Sequence, residues 1–396
     1  EEAIKNVDVS GSVVYRYNNY DNSEAGNNHS NTDKNNYKIG LNLSSKVNDY
    51  VKFNSRFIVG AENTYDFTPT NAHKDRNGGD GSADISLSQA YFGFTAIPNT
   101  VVNIGKQGLT TPYTVAVDIN GNEQAGTGIL ALSTFGPITA GAGYFNNTNV
   151  DESGNGYIKT SDLALDGGSD MYVATVQGDL DFVKLEAWYA GLQETFNTYT
   201  LAATSNLDLA ENAKLGLEAR YVNLQLNDKV LQTIALTSDD NSMFRFAVDG
   251  KFSIVNARLA YTMTDKDGGL TALDQDAKNT SLGWFITSNG IADADYFQAA
   301  LGVDILDNLN LTGHYGQLKA DGSDKKTINN AVKFGTIGYD QELKQKEYYG
   351  QLTYKMSKNL STYLRYGTFT AKENQAGNSD KFEDQTRGRI QVAYTF

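Results

Sequence analysis

The chain of 396 residues contains no cysteine, which excludes disulfides, thiolate nucleophiles and cysteine-based metal sites without identifying the compartment. It has no apolar run of 18 residues or more, so no segment is suited to cross a bilayer as a helix. There are only four prolines (Pro69, Pro98, Pro112, Pro137), and none falls inside a segment that reads as a strand, as ladder hydrogen bonding demands. The three histidines, His29, His73 and His314, are too scattered for a zinc site or proton relay and read as solvated. Metalloprotease, serine-hydrolase and nucleotide-loop motifs are missing. Gly126–Ala131 (GTGILA) spells a dinucleotide motif, but lacks the flanking strand and helix that give that motif its phosphate geometry. A basic excess is missing too: the net charge of −14 argues against nucleic acid as a partner. No positively charged start followed by an apolar run stands at Glu1, so a signal peptide is expected to have been removed already or never to have existed.

What the chain does have is tyrosine and a two-residue rhythm. Aromatics make up 11% of residues, with 24 Tyr and 18 Phe against 2 Trp. Tyrosine favours the membrane–water boundary. Successive strand side chains point to opposite faces. In Val7–Tyr17, Val7, Val9, Val13, Tyr15 and Tyr17 share one face, and Asp8, Ser10, Ser12 and Arg16 the other. Residues 37–43 set Tyr37, Ile39, Leu41 and Leu43 against Lys38, Gly40 and Asn42; residues 51–59 set Val51, Phe53, Phe57 and Val59 against Lys52, Asn54 and Arg56. The pattern recurs over 182–190, 213–222, 243–251, 309–315 and 389–396. A mean hydropathy of −0.45 fits strands with only one face in lipid. A soluble sandwich or solenoid would alternate as well. Against it stand the length, the single frame kept over many hairpins, and Ile390, Val392, Tyr394 and Phe396 alternating to the last residue.

Tight connections centre near Asp49, Pro98, Pro137, Asp179, Glu211, Gly250, Asp307 and Lys358, in Asn-, Asp-, Gly- and Pro-bearing sequences suited to short hairpin turns. Longer polar segments lie between them, at 18–36, 62–83, 147–168, 266–281 and 318–345. Short turns at one rim and long loops at the other are the layout of an outer-membrane barrel. Eight tight turns separate nine hairpins, hence an all-β, transmembrane antiparallel β-barrel of about 18 strands. No linker divides 1–396, so one domain is expected. Strand one begins by about residue 7, which leaves no room for an N-terminal plug.

The start, Glu1–Tyr17 (EEAIKNVDVSGSVVYRY), resembles the mature N-terminus of the Campylobacter-type major outer membrane protein, a porin family of epsilon-proteobacteria. The ending RIQVAYTF resembles that family's closing strand, and GKQ at 105–107 with GTGI at 126–129 resembles the edges of its third loop. The resemblance implies an 18-stranded homotrimer in the bacterial outer membrane, among outer-membrane lipid and lipopolysaccharide. It further implies moderate cation preference, host-surface contact through the outer loops, and a calcium ion in the pore.

If the apolar parity faces lipid, Arg16, Lys38, Lys52, Arg56, Arg365, Arg387 and Arg389 face the lumen, and closure of the last strand on the first makes them one basic wall. The third loop, 108–127, is expected to fold inward, bringing Asp118 and Glu123 opposite that wall and setting a transverse field across the aperture; the alternative is that these side chains merely solvate the lumen and rim. Two oxygen-rich segments are calcium candidates. One is Asp118–Glu123 in the pore loop. The other runs from Asp151 through Ser153 and Asn155 to Asp162, with EF-hand-like spacing but Asp at its end. The expected function is passive general diffusion of small hydrophilic solutes and ions, with no enzymatic chemistry. The rival readings are an adhesin barrel binding host surfaces by its loops, and a membrane-embedded hydrolase, for which no Ser/His pair stands out.

Overall fold

The computed structural model describes residues 6–23, 30–61, 65–70, 83–151, 167–234, 238–321, 341–375 and 378–396. Eighteen long antiparallel strands form one sheet in which each pairs with its neighbours in sequence. They are β1 (Val7–Asn22), β2 (Ser30–Asn48), β3 (Val51–Ala61), β4 (Ala83–Phe94), β5 (Thr100–Gly108), β6 (Ala125–Phe135), β7 (Ile138–Thr148), β8 (Met171–Leu180) and β9 (Val183–Leu192). They continue as β10 (Phe196–Ala210), β11 (Ala213–Leu226), β12 (Asp240–Phe252), β13 (Val255–Thr264), β14 (Ala294–Leu306), β15 (Leu309–Asp321), β16 (Gln341–Lys355), β17 (Leu360–Gln375) and β18 (Asn378–Thr395). A two-residue strand, Thr68–Pro69, adds to β2, and one short helix, α1 (Asp228–Ile234), lies between β11 and β12. β1 pairs with β18 from Ser12↔Thr395 to Asn22↔Gln385, so the sheet closes on itself and leaves no edge.

At one rim the reversals are short. Six are two-residue turns, and left-handed φ values at Asn99 (55°), Gly136 (58°) and Asp181 (44°) match residues that tolerate that region. The turns expected near Asp179 and Gly250 fall slightly later, at Asp181–Phe182 and Ser253–Ile254. The segments 18–36 and 318–345, expected as loops, are partly strand. β1 runs on to Asn22 and β2 starts at Ser30, while β15 reaches Asp321 and β16 begins at Gln341. Above the bilayer both faces of a strand are wet, so the alternation disappears while the ladder continues.

The outward face is the apolar one. Val9 (55% exposed), Leu301 (64%) and Tyr366 (66%) lie uncovered, as does much of the same parity on every strand. The buried apolar side chains sit inside the barrel. Leu109, Tyr113, Phe145, Met171, Leu192, Phe196, Val222, Leu224, Met243, Leu270 and Leu273 form one cluster, built where two loops fold against the inner wall. A second cluster gathers Ile286, Ile291, Tyr296, Leu318, Leu343 and Phe369. A lysine at Val13 or Leu364, both on the lipid face, is expected to cost about 2–4 kcal/mol near the midplane, read as a lower unfolding midpoint in lipid vesicles. The same change at lumen-facing Ser12 should cost far less.

Candidate functional site

The third loop, 109–124 between β5 and β6, enters the lumen and is held there by charge. Glu123 is 1% exposed. It forms ion pairs with Lys38 at 2.6 Å and Arg56 at 2.9 Å, both on the adjoining wall. Arg16 donates to the Ile119 carbonyl at 2.7 Å and lies over the Phe67 ring. The loop tip is a self-bonded turn: Asp118 Oδ1 accepts from the backbone N–H groups of Asn120 and Asn122, and Oδ2 accepts from Asn122 Nδ2. Gly121, at φ +85°, lets that tip pass the Phe67 ring, where a Cβ would sit 2.7 Å from carbon.

A second loop, residues 265–293 between β13 and β14, also folds inward, which the polar reading of 266–281 did not anticipate. Arg245 on β12 grips it through the carbonyls of Thr280 and Lys278, both at 2.7 Å, and pairs with Glu218 at 2.6 Å. Arg220 on β11 is 2% exposed. It reaches Asn279 at 3.2 Å and lies within 4 Å of Glu186 and Glu218. On the far side, Glu347 on β16 accepts from the N–H groups of Trp284 and Phe285. The two loops bond to each other: Leu273 N–H donates to the Tyr113 carbonyl at 2.8 Å, Gln124 Nε2 to the Leu273 carbonyl at 3.1 Å, and Ile119 N–H to Asp276 Oδ2 at 2.8 Å. Thr200 on β10 donates to the buried Tyr113 hydroxyl, whose own titration burial pushes up to about 12.

Where the loops meet, carboxylates gather. Burial, then the contact with Asp118, pushes the Asp274 carboxyl up to about 9. Burial likewise raises Asp276, and raises Asp66 to about 6. Asn122 Oδ1, beside Asp118, is buried with no hydrogen-bond partner.

Facing these acids, the predicted basic residues fall into three groups. Arg16, Lys38 and Arg56 hold the third loop. Arg389, Arg365 and Arg387 line the wall against which the second loop sets Trp284 and Phe285, with Arg389 opposite both Asn18 and Arg365 in the ladder. Arg365 lies about 5 Å from the rings of Trp284, Tyr349 and Tyr363, and Arg387 rests on Tyr20 and Phe285. Among the described residues, none of Arg16, Arg365, Arg387 or Arg389 has an ion-pair partner. Lys52 stands apart. It is exposed beside the turn at 49–50, opposite Lys46, and touches neither loop. His314 stacks on Tyr349 with ring centroids 4.3 Å apart. His29, His73, Ser153, Asn155 and Asp162 lie outside the described residues; Asp151 is buried at the end of β7. Among the described residues no group of three or more His, Asp or Glu side chains converges as a ligand set.

Sequence reasoning missed Glu186, Glu218, Arg220, Arg245 and Glu347, whose strands carry other charges as well and give no local sign of which ones meet a loop or each other. The inward fold of the second loop did have a signal: Leu270, Leu273, Leu282, Trp284, Phe285, Ile286 and Ile291 are too apolar for a solvated outer loop.

A model of the family described as Campylobacter major outer membrane protein matches residues 1–396. No curated protein sequence matches the chain. Among solved structures, Pseudomonas aeruginosa OpdL is similar, with a TM-score of 0.71 at 15% identity over 99% of both chains. P. aeruginosa OpdK, solved with vanillate, has a TM-score of 0.71 at 13% identity over 98% of each chain. Acinetobacter baumannii OccAB2 has a TM-score of 0.69 at 14% identity over 98% of each. At these identities the likeness concerns the fold. Because Glu123 is buried between two cations, Glu123→Gln is expected to destabilise the third loop by about 3–5 kcal/mol. Single-channel recordings should then show a noisier open current, while Lys52→Gln leaves it quiet.

Proposed function

The chain belongs to the Campylobacter major outer membrane protein family and lies in the bacterial outer membrane, and on that premise we propose that it is a general-diffusion porin for small hydrophilic solutes and ions, moderately selective for cations and without catalytic chemistry. The observation that carries this reading is a closed barrel whose lumen is narrowed by two loops, each ion-paired or hydrogen-bonded to the wall rather than hinged. A static constriction passes solutes down their gradients and needs no energy input. Its walls are unlike. Arg389, Arg365 and Arg387 line one stretch of wall, and Asp118, Asp276 and Asp66 gather at the loop junction, with Arg16 beside them. Glu123 offsets only one of the two charges of Lys38 and Arg56 in the loop anchor, whereas Glu186 and Glu218 balance Arg220 and Arg245. A permeant dipole therefore crosses a transverse field, and the acids together with the net charge of −14 favour cations.

The loop junction also fits a hard divalent cation. The paired carboxyls of Asp118 and Asp274 and the unpartnered carbonyl oxygen of Asn122 are the oxygen donors that calcium prefers. A bound Ca2+ would tie the two loops together through these residues. Asp276 would lend charge from one turn away. Homotrimer assembly and attachment to host surfaces through the outer loops complete the proposal and rest on family membership.

In a salt gradient across a planar bilayer the wild-type channel should show a cation-side reversal potential. Arg387→Ser or Arg389→Ser should move it a few millivolts further that way, and unchanged potential and conductance in both would remove the basic wall from the account. Calorimetric titration should find about one Ca2+ per chain, absent in Asp118→Asn and Asp274→Asn; binding that survives both places the ion elsewhere.

A further inference from the structure

The outward face above the lipid belt differs around the barrel. Over much of the circumference, tyrosine hydroxyls of the girdle donate to aspartates next to them: Tyr17 to Asp33 at 2.9 Å, Tyr261 to Asp295 at 2.8 Å, and Tyr144 to Asp170. Over β15–β18 that level is basic instead. The ladder sets Lys319 opposite Lys344, Lys344 opposite Lys372, and Lys372 opposite Lys381, one lysine on each of four adjacent strands, with Asp295 opposite Lys319 closing the row on the β14 side. Lys346 stands one outward position nearer the membrane on β16, beside Thr370. Lys381 bonds to Asp384. Among the described residues, Lys319, Lys344, Lys346 and Lys372 have no ion-pair partner. Like charges directly opposite across a ladder repel, so a row of them on a chain of net charge −14 calls for an external anion. Asp321 and Glu342 lie directly opposite each other one outward position farther out, which confines that anion to the lysine level.

Below the lysines the surface is hollow. Tyr315, Tyr348 and Tyr366 stand around a shallow groove of about 740 Å³, floored by Ala257, Ala299, Gly313 and Gly350 and walled by Leu259 and Leu301. Strand rise places the lysine Cα atoms about 7–14 Å beyond Tyr348, within snorkelling reach of the phosphate level of a leaflet whose chains fill the groove. A second outer groove, of about 540 Å³ and lined by Ala187, Leu201, Ala203, Ala219 and Tyr221, has amides rather than lysines above it, at Asn197 and Asn223.

We propose that the outer face of β13–β18 is a binding site for the phosphorylated, multiply acylated glycolipid of the outer leaflet, with Lys319, Lys344, Lys346 and Lys372 on its phosphates and the Gly313–Gly350 groove on its acyl chains. The site lies outside the pore and depends only on the chain's place in the outer membrane. It is tested by titrating the delipidated, detergent-solubilised protein with diphosphoryl lipid A, dephosphorylated lipid A or phosphatidylglycerol, and reading the bound lipid by native mass spectrometry. Diphosphoryl lipid A should bind at least about tenfold more tightly than either alternative. The triple variant Lys319→Gln/Lys344→Gln/Lys372→Gln should lose that margin, and Gly350→Leu should weaken binding by filling the groove. Ala203→Leu in the other groove should change nothing, and all variants should keep wild-type conductance. Equal retention of dephosphorylated lipid A by the wild-type protein overturns the proposal without relying on any variant. Equal retention of phosphatidylglycerol overturns the glycolipid assignment, and full retention of lipid A by the triple variant overturns the lysines' role.

Discussion

Hydrocarbon offers no hydrogen bonds, so every peptide group crossing it must find a partner within the protein. A sheet meets that demand only when its first strand pairs with its last. Here the seam runs along β1 and β18 and ends on reciprocal bonds between Gly11 and Phe396, at 2.9 and 3.1 Å. Closure dictates the rest. It divides each strand into a lipid face and a water face, gives the chain its two-residue rhythm, and encloses a lumen in which polar groups are inexpensive. It also leaves loops at one rim that can fold inward and pack as a soluble core would.

That inner packing makes the barrel a filter rather than a tube. An apolar cluster between loops and wall fixes the third loop and the 265–293 loop, and buried ion pairs set their positions. A buried pair is costly to assemble and costlier to break, so its value here is positional: Glu123 between Lys38 and Arg56 can sit in few other places. The free arginines on the opposite wall follow a different logic. They lie against aromatic rings and amide oxygens, Arg389 on Asn18, Arg365 on Gln351 and Arg387 on Gln385, and among the described residues no carboxylate pairs with them to cancel their charge.

Much of this was legible in the sequence, for a physical reason. Alternation is local, so Val13 against Ser12 or Leu364 against Arg365 can be assigned without knowing any neighbour, and turn chemistry at Asn99 or Asp181 is local too. The third loop was legible because its flanks and acids stood out. Glu186, Glu218, Arg220 and Arg245 were not, because their meaning is the contact they make across β9, β11 and β12 and with the 265–293 loop, which no single strand's alternation carries. The second inward loop was hidden behind its polar first half, although Trp284, Phe285 and Ile286 already marked it as unsuited to open water. Lys52 shows the converse error of scale: its parity is that of the lumen, but depth along the axis, which parity does not carry, leaves it at the rim.

The cysteine-free chain allows the central division of faces to be read one residue at a time. Single cysteines at residues 362 to 367 of β17, probed in intact vesicles with a charged, water-soluble thiol reagent, should react alternately. Those replacing Tyr363, Arg365 and Gly367 should label and reduce the channel current, while those replacing Thr362, Leu364 and Tyr366 stay unlabelled. Uniform labelling, or reaction on the opposite parity, would contradict a strand with lipid on one side and water on the other.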